Sequence, residues 1–167
     1  FGVSGFQVHF SSHDIFTPGD SVNSLVAMNP AGFKTNIADV QPGGLVIVNE
    51  DEFDDGNLRK CGYPEGYNPL EDEAILGTYT VVRIPMSRLT REALAESAQG
   101  AKAIDRCRNM FALGIVYWLY ERPLDATIRY FEDGFTKKKK QPEIADLNIR
   151  ALKAGYYFGE TAELMPT

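Results

Sequence analysis

The sequence predicts an α/β fold in three layers, α/β/α, with a mostly parallel sheet and a helical C-terminal half. Two short apolar runs, residues 24–28 (SLVAM) and 45–48 (LVIV), are typical of strands buried on both faces of a parallel sheet. Between them Asn29 can cap a helix and Pro30 is tolerated at its first position, so we expect a helix to about Val40. The two strands should therefore be adjacent and parallel, with a right-handed crossover.

The remaining elements follow from periodicity and from helix-breaking residues. Residues 6–10 (FQVHF) alternate apolar and polar side chains, which predicts a strand. We place Thr90 as the N-cap of a helix that runs through Ser97, and Gly159 as the end of the last helix. Further along, the pattern predicts a short helix at 55–60, a strand at 78–85, and helices at 104–121, 124–135 and 142–158.

The helix predicted at residues 104–121 is unusual because residues 110–119 include no charged side chain. A helix that is apolar all round is packed on more than one side. We therefore expect Leu113, Val116, Tyr117 and Tyr120 to be covered as well as the opposite flank. The cover could come from the C-terminal helices of the same chain or from another subunit, and the sequence leaves both open.

Composition excludes several classes of protein. The chain has 167 residues, 44% of them hydrophobic, with 17 Lys+Arg against 23 Asp+Glu and a net charge of −6. These values exclude a disordered chain or a collagen-like repeat. The acidic balance argues against nucleic-acid binding, which needs a basic face. No apolar run is long enough to cross a membrane, and the sequence shows no signal peptide. The use of two cysteines favours a cytoplasmic protein with reduced thiols. Phe1 already lies within an apolar pattern, and we expect the true N-terminus to precede it.

The two cysteines, Cys61 and Cys107, are too few for a disulfide framework and have no metal-ligand spacing. Two reduced thiols are favoured over a single disulfide. Cys61 has Lys60 beside it but no histidine nearby in sequence, so a nucleophilic role is not favoured. A serine hydrolase is also disfavoured because the sequence lacks a G-x-S-x-G turn. We assign no catalytic residue.

Three polar groups could bind ions, and in each the simpler interpretation is preferred. His9 and His13, with Asp14, suggest a metal site, but zinc needs three or four ligands and the two cysteines lie far away in the sequence without ligand spacing. One histidine in a strand and one in a loop is the preferred interpretation. The acidic residues 50–55 lack EF-hand spacing and are interpreted as a solvated loop. The lysines at 137–140 are interpreted as a solvated connection between helices and not as a phosphate site. We therefore assign no metal ligand.

The ends of the two buried strands carry the candidate ligand-facing residues. In open α/β sheets, ligands bind beyond the carboxyl ends of the strands. Asn29 and Pro30 follow the first buried strand and Asn49 follows the second. The asparagines offer neutral donors and acceptors, and the helix after Pro30 offers the positive end of its dipole. The alternative is that both asparagines only cap the elements that follow them.

Several stretches, in order along nearly the whole chain, resemble the gamma-type domain of 2-oxoacid:acceptor oxidoreductases. The resemblance is strongest to the N-terminal part of the alpha subunit of 2-oxoglutarate:ferredoxin oxidoreductases. The stretches are residues 2–10 (GVSGFQVHF), 13–15 (HDI), 17–20 (TPGD), 25–30 (LVAMNP), 34–39 (KTNIAD), 48–49 (VN), 51–53 (DEF), 68–72 (NPLED), 109–114 (NMFALG), 142–145 (PEIA), 154–155 (AG) and 158–161 (FGET).

The resemblance implies a gamma-type domain over residues 1–163, incomplete at its N-terminus, with residues 164–167 opening a linker to a following domain. It implies a cytoplasmic multi-subunit enzyme that decarboxylates a 2-oxoacid, reduces ferredoxin and forms an acyl-CoA. Thiamine diphosphate, Mg²⁺ and the iron–sulfur clusters would be bound elsewhere, by a thiamine-binding domain and a beta subunit. This domain would be a non-catalytic scaffold close to coenzyme A.

The chain departs from the family pattern before Phe1, where the family has a glycine-rich strand–turn–helix. We therefore expect the 167-residue chain alone to be inactive. The alternative is a free-standing α/β module that binds a nucleotide or a protein and is related to the enzyme only by ancestry. Composition does not distinguish the two.

Overall fold

The computed structural model describes residues 3–17, 19, 21–162 and 164, and within them the chain divides into two compact units at Ile84. The N-terminal unit contains strands β1 (Val22–Ala27), β2 (Val40–Asn49) and β3 (Thr80–Ile84) and helices α1 (Pro30–Asn36), α2 (Asp55–Lys60) and α3 (Glu73–Thr78). The C-terminal unit contains helices α4 (Met86–Ala93), α5 (Ala101–Asp105), α6 (Arg108–Leu119), α7 (Asp125–Phe131) and α8 (Pro142–Thr161).

The described strands form one parallel sheet in the order β1-β2-β3. Val26 pairs with Ile47, and Ile47 with Val82, so the two predicted buried strands are neighbours as expected. The α/β class, the parallel sheet and the helical C-terminal half are confirmed.

β2 starts five residues earlier than the apolar run predicts. Val22 pairs with Val40 but Ser24 pairs with Leu45, so the Pro42-Gly43-Gly44 segment forms a bulge inside β2. Gly43 has a φ of 81°, which favours glycine. The Pro-Gly-Gly sequence is typical of a turn, but in this structure it forms a β-bulge.

Helices α1 and α2 each place one large apolar side chain, Phe33 and Leu58, in the core of the N-terminal unit. Phe33 of α1 is buried and meets Phe53 edge-to-face, with 5.8 Å between ring centroids. The rest of this core comes from the strands and from the segment before α3: Ala27, Val40, Val46, Val48 and Leu70. The predicted short helix at 55–60 is confirmed as α2.

Residues 6–10 are not part of a strand in the structure, so that prediction is wrong for the described chain. Phe6 is 94% exposed and Val8 is 60% exposed. The alternation that predicted the strand remains visible in the sequence. A strand also needs a partner for its backbone groups, and the described sheet does not supply one.

Helix α4 begins at Met86, before the predicted cap at Thr90. Thr90 lies inside the helix and is fully buried, and its hydroxyl donates to the Met86 carbonyl at 2.7 Å. A threonine can satisfy its hydroxyl this way within a helix, so its presence did not mark a helix start.

The helix predicted at 104–121 is two helices, α5 and α6, that separate around Cys107. Arg91 of α4 makes a bidentate ion pair with Asp105 at the end of α5, at 2.6 and 3.1 Å. This contact fixes α5 against α4.

Helices α6 and α8 pack at very close range through glycines. A Cβ on Gly155 would collide with the Phe111 backbone, and one on Gly159 would lie 2.8 Å from the Trp118 ring. The predicted helix end at Gly159 is therefore wrong, because this glycine is a buried contact within α8.

The second flank of α6 is half-buried, as expected for a helix covered on more than one side. The half-buried residues of this flank include Leu113, Val116 and Tyr120. Tyr117 reaches α7, where its hydroxyl lies 2.8 Å from Oγ1 of Thr127. Helix α7 of the same chain thus covers part of this flank of α6. Cover by another subunit stays a prediction.

Candidate functional site

The carboxyl ends of the three parallel strands bring the predicted site residues to one edge of the sheet. Ala27 pairs with Val48, and Asn49 pairs with Ile84. Asn29 follows β1 by two residues, and Asn49 is the last residue of β2. Asn29 and Asn49 therefore follow neighbouring strands at the same edge of the sheet.

Asn29 is the N-cap of α1. Its backbone is extended (φ −161°, ψ 168°), and its side-chain Oδ1 accepts the Gly32 backbone N–H at 2.8 Å. Pro30 occupies the first helical position and is buried. Asn29 therefore caps α1 through its Oδ1. The Asn29 residue is exposed, so its Nδ2 group lies at the surface of this edge.

Asn49 differs from Asn29 because it is completely buried. Its side chain does not cap the 3-10 turn Glu50–Glu52 that follows. A buried amide must be hydrogen-bonded to be tolerated, so Asn49 acts inside the fold. A ligand at the surface of this edge would meet Asn29 before Asn49.

An ion pair joins the ends of β2 and β3. The Nε of Arg83 lies 3.2 Å from Oε2 of Glu50, and both side chains are partly exposed. An exposed pair of this kind contributes about 1 kcal/mol or less to stability. Because the Arg83 charge is balanced by Glu50, this edge offers little net positive charge to an anion.

The acidic residues after β2 are used in local structure. Asp54 caps α2: its Oδ1 accepts the Asn57 backbone N–H at 2.9 Å, and its Oδ2 accepts from the Asn57 side chain at 2.8 Å. The same amide donates to the Glu52 carbonyl at 3.1 Å. Among the described residues, no group of three His, Cys, Asp or Glu side chains could hold a metal ion.

A hydrogen bond that the sequence reading missed links Tyr67 to Asp72. The Tyr67 hydroxyl donates to Oδ2 of Asp72 at 2.5 Å, and Oδ1 of Asp72 accepts the Ala74 N–H at 2.8 Å, which caps α3. The bond to Asp72 is the main cause that raises the pKa of Tyr67 to about 12. The same bond, with the cap, lowers the pKa of Asp72.

Lys34 ties α1 to the segment after α2. Its Nζ donates to the Cys61 carbonyl at 2.8 Å and lies 4.8 Å from the centroid of the Tyr63 ring. Both contacts join residues that are far apart in the sequence. The local periodicity of the sequence therefore does not predict them.

Both cysteines are free thiols, as favoured from the sequence. Cys107 is buried, its thiol donates to the Ala103 carbonyl at 3.4 Å, and burial raises its pKa. Cys61 is half-buried. His9 is engaged elsewhere: its Nδ1 lies 3.1 Å from the Thr17 carbonyl oxygen.

The lysine run lies in an exposed π-helix, Glu132–Lys138, and just after it. Lys137 pairs with Asp133 at 2.6 Å, and Lys139 lies over the Phe135 ring at 4.4 Å from its centroid. These contacts agree with a solvated connection. No helix in the described part of the chain combines the length and apolar character that membrane crossing requires.

The described strands and helices therefore define an α/β domain with a parallel sheet. Where the strands end, helix caps and the Arg83–Glu50 ion pair stabilise the edge of this sheet. The chain matches the family model described as pyruvate ferredoxin/flavodoxin oxidoreductase over residues 1–158. It belongs to this family.

Two relatives define the match further. The chain is 45% identical over 166 residues to the 2-oxoglutarate oxidoreductase subunit KorA of Mycobacterium tuberculosis (strain ATCC 25618 / H37Rv), covering 99% of this chain and 24% of that protein. In structure it is similar to the 2-oxoglutarate:ferredoxin oxidoreductase from Magnetococcus marinus with 2-oxoglutarate, coenzyme A and succinyl-CoA bound. That match has a TM-score of 0.61 and 23% identity, covers 90% of this chain and 22% of the other, and supports the fold. The chain thus spans about a quarter of each relative.

Proposed function

We propose that this chain is the gamma-type domain, residues 1–163, of an enzyme that oxidatively decarboxylates a 2-oxoacid of the 2-oxoglutarate type to an acyl-CoA and reduces ferredoxin. The observation that carries the proposal is the 45% identity to KorA over 99% of the chain. An identity of that size over a whole domain supports the same role in the same kind of enzyme.

Within such an enzyme we assign this chain a non-catalytic, structural role. An iron–sulfur cluster typically needs four thiolates, whereas this chain has two cysteines in separate units. The carboxylates near the sheet edge cap helices or pair with Arg83. The residues present therefore do not fit a cluster, or a thiamine diphosphate with its Mg²⁺. Those groups belong to a thiamine-binding domain and a beta subunit.

Coenzyme A fits the sheet edge only in part. Its phosphates require positive charge, and the Arg83 charge at this edge is balanced by Glu50. Its amide-rich arm would suit a neutral partner, and Nδ2 of Asn29 could donate to one of its carbonyls. We therefore propose that Asn29 lies near coenzyme A, that Pro30 holds the Asn29 backbone, and that Asn49 supports the edge from inside.

We propose that residues 164–167 open the linker to the thiamine-binding domain. Residues 165–167 lie outside the described residues. We place the assembly in the cytoplasm, which two free thiols support.

A domain exchange tests the proposal. This chain replaces the matching quarter of KorA, and the exchanged protein is assayed for 2-oxoglutarate-dependent dye reduction with coenzyme A within its oxidoreductase. We expect assembly and turnover, and no turnover from the 167-residue chain alone with thiamine diphosphate and Mg²⁺. An exchanged protein that folds but neither assembles nor turns over would support the free-standing binding module instead.

A variant of the same exchanged protein tests the coenzyme A part separately. Asn29→Asp keeps the helix cap but replaces the Nδ2 donor by a charge that repels a carbonyl oxygen. We expect a higher KM for coenzyme A with an unchanged KM for 2-oxoglutarate. Equal KM values for coenzyme A in the two proteins would place the cofactor away from Asn29 while leaving the family role intact.

A further inference from the structure

The guanidinium of Arg83 is held at only one of its three nitrogen atoms. Its Nε donates to Oε2 of Glu50 at 3.2 Å, and within the described residues its two terminal amino groups make no hydrogen bond or ion pair. The pair of Arg91 with Asp105 differs, because there Nε and a terminal nitrogen both bond to the carboxylate, at 2.6 and 3.1 Å. The terminal groups of Arg83 are therefore available to a further acceptor.

This guanidinium belongs to the edge of the sheet at which α/β proteins bind their ligands. Arg83 is the last but one residue of β3, and Glu50 directly follows β2. Both side chains are partly exposed, at 41% and 32%. Ligands of open α/β sheets bind beyond the carboxyl ends of the strands, and Asn29 follows β1 at the same edge. A ligand at this edge would therefore meet Arg83 as well as Asn29.

An arginine held through Nε is suited to a phosphate group. The N–H groups of a guanidinium form a rigid planar fork that matches two oxygens of a phosphate. The bond to Glu50 fixes the plane of the Arg83 fork before a ligand arrives. Glu50 also opposes the ligand, because its negative charge lies beside the same guanidinium. Exposed ion pairs are weak, so this opposition should lower the affinity without abolishing binding.

We propose that the terminal amino groups of Arg83 bind the diphosphate of coenzyme A, and that Glu50 orients the guanidinium while limiting the affinity. This inference rests on the proposed function, which places the amide arm of coenzyme A near Asn29. Neighbouring strands lie about 4.8 Å apart, so the ends of β1 and β3 are separated by about 10 Å. The amides and the diphosphate of coenzyme A belong to one extended chain, so a single molecule can reach from Asn29 to Arg83.

The first test is an NMR titration of the 167-residue chain, with the Nε–H signal of Arg83 as the readout. Coenzyme A and 3′-dephospho-coenzyme A both carry the diphosphate and should move this signal. Pantetheine, which has the amides but no phosphate, should leave it in place. Glu50→Gln keeps an acceptor for Nε without the negative charge, so half-saturation should then occur at a several-fold lower concentration of coenzyme A.

The second test measures KM in the protein that carries this chain in place of the matching quarter of KorA. Arg83→Gln should raise the KM for coenzyme A roughly tenfold, as the loss of a charge-assisted hydrogen bond predicts. Glu50→Gln should lower the same KM, and these opposite directions exclude general damage to the fold as their cause. The KM for 2-oxoglutarate should be unchanged in both variants.

The matched control is Arg150→Gln on α8. Arg150 is also a partly exposed arginine (38%) with a single carboxylate partner, because its terminal nitrogen lies 3.6 Å from Oδ2 of Asp146. It lies in the C-terminal unit, away from the strand ends. This variant should change neither KM.

Two results would overturn the Arg83 contact while leaving the proposed function intact. One is a signal of Arg83 that coenzyme A moves no further than pantetheine does. The other is normal turnover of Arg83→Gln with an unchanged KM for coenzyme A; a raised KM for 2-oxoglutarate in its place would assign the fork to the substrate carboxylate. An exchanged protein without turnover would count against the proposed function, and the titration of the chain alone then decides the contact.

Discussion

Gly155 of α8 lies directly against the backbone of Phe111 in α6, so that a Cβ on Gly155 would be 2.7 Å from the Phe111 carbonyl carbon. Gly114 makes the reciprocal approach, where a Cβ would lie 2.7 Å from the Tyr156 nitrogen. Only residues without a side chain allow two helices to come this close. The packing of the helical unit depends on these two positions.

The first prediction follows from that contact. Gly155→Ala should lower the free energy of unfolding by about 1–3 kcal/mol, because the methyl group meets rigid backbone and forces α6 and α8 apart. Urea denaturation followed by circular dichroism measures the loss. The matched control is Gly134→Ala, where a Cβ meets nothing within 4 Å. The control should be neutral or stabilising, by up to about 1 kcal/mol.

A second prediction concerns the pH dependence of Tyr67. Its pKa is raised to about 12 from 10, so the folded state favours the neutral phenol. This contribution to stability is fully present below pH 10 and is lost as the pH rises towards 12. The Tyr67 phenol should therefore titrate near pH 12, as seen by NMR of its ring carbon. In Asp72→Asn the midpoint should fall towards 10; an unchanged midpoint would show that the carboxylate is not its partner.

The acidic side of the same pair gives a third prediction. The Tyr67 hydroxyl is the main cause that lowers the pKa of Asp72. The stability from this carboxylate is present above its ordinary pKa and is lost as the pH falls through the folded-state value. Tyr67→Phe should raise the pKa of Asp72 and flatten the acid loss of stability. Titration of the Asp72 side chain by NMR in both proteins measures the shift.

The fourth prediction distinguishes capping from ligand contact at Asn29. Asn29→Ala removes the acceptor for the Gly32 N–H and should cost about 1 kcal/mol of stability. Asn29→Asp retains an acceptor and should be close to the unchanged protein. Thermal unfolding of both variants checks this. Equal losses in the two variants would show that the Oδ1 cap does not stabilise α1.

The two thiols give a fifth prediction. Cys61 is half-buried, whereas Cys107 is buried and has a raised pKa. A thiol reagent such as DTNB should therefore modify Cys61 first and Cys107 slowly. Cys61→Ser should remove the fast phase and leave the slow one. A single phase for both residues would contradict the assignment.

The sequence was most informative where a local pattern and the fold require the same thing. The runs at 24–28 and 45–48 pair in parallel as predicted. The second run is almost completely buried, whereas the first is buried only at Ala27 and half-buried elsewhere. The start of α1 at Asn29 and Pro30 was predicted correctly because helix capping depends on residues that are neighbours in sequence. The short helix Asp55–Lys60 was also predicted.

Patterns failed where distant contacts decided the outcome. Thr90 has the chemistry of a cap, but α4 starts earlier and Thr90 bonds back to Met86. Gly159 has the chemistry of a helix end, but it lies against Trp118. At the candidate site, the burial of Asn49 and the pairing of Arg83 with Glu50 depend on the register of neighbouring strands. The pattern of residues within a single strand does not predict how neighbouring strands are aligned.

The strand order β1-β2-β3 has a consequence for biosynthesis. Each strand pairs with the one made just before it, so a growing chain need not store an unpaired strand while later residues are synthesised. Pairing between neighbours in sequence also keeps the loops that must close shorter than they would be in a sheet with a rearranged strand order. The N-terminal sheet can therefore assemble strand by strand as the chain leaves the ribosome, before all of the helices that begin at Met86 have emerged.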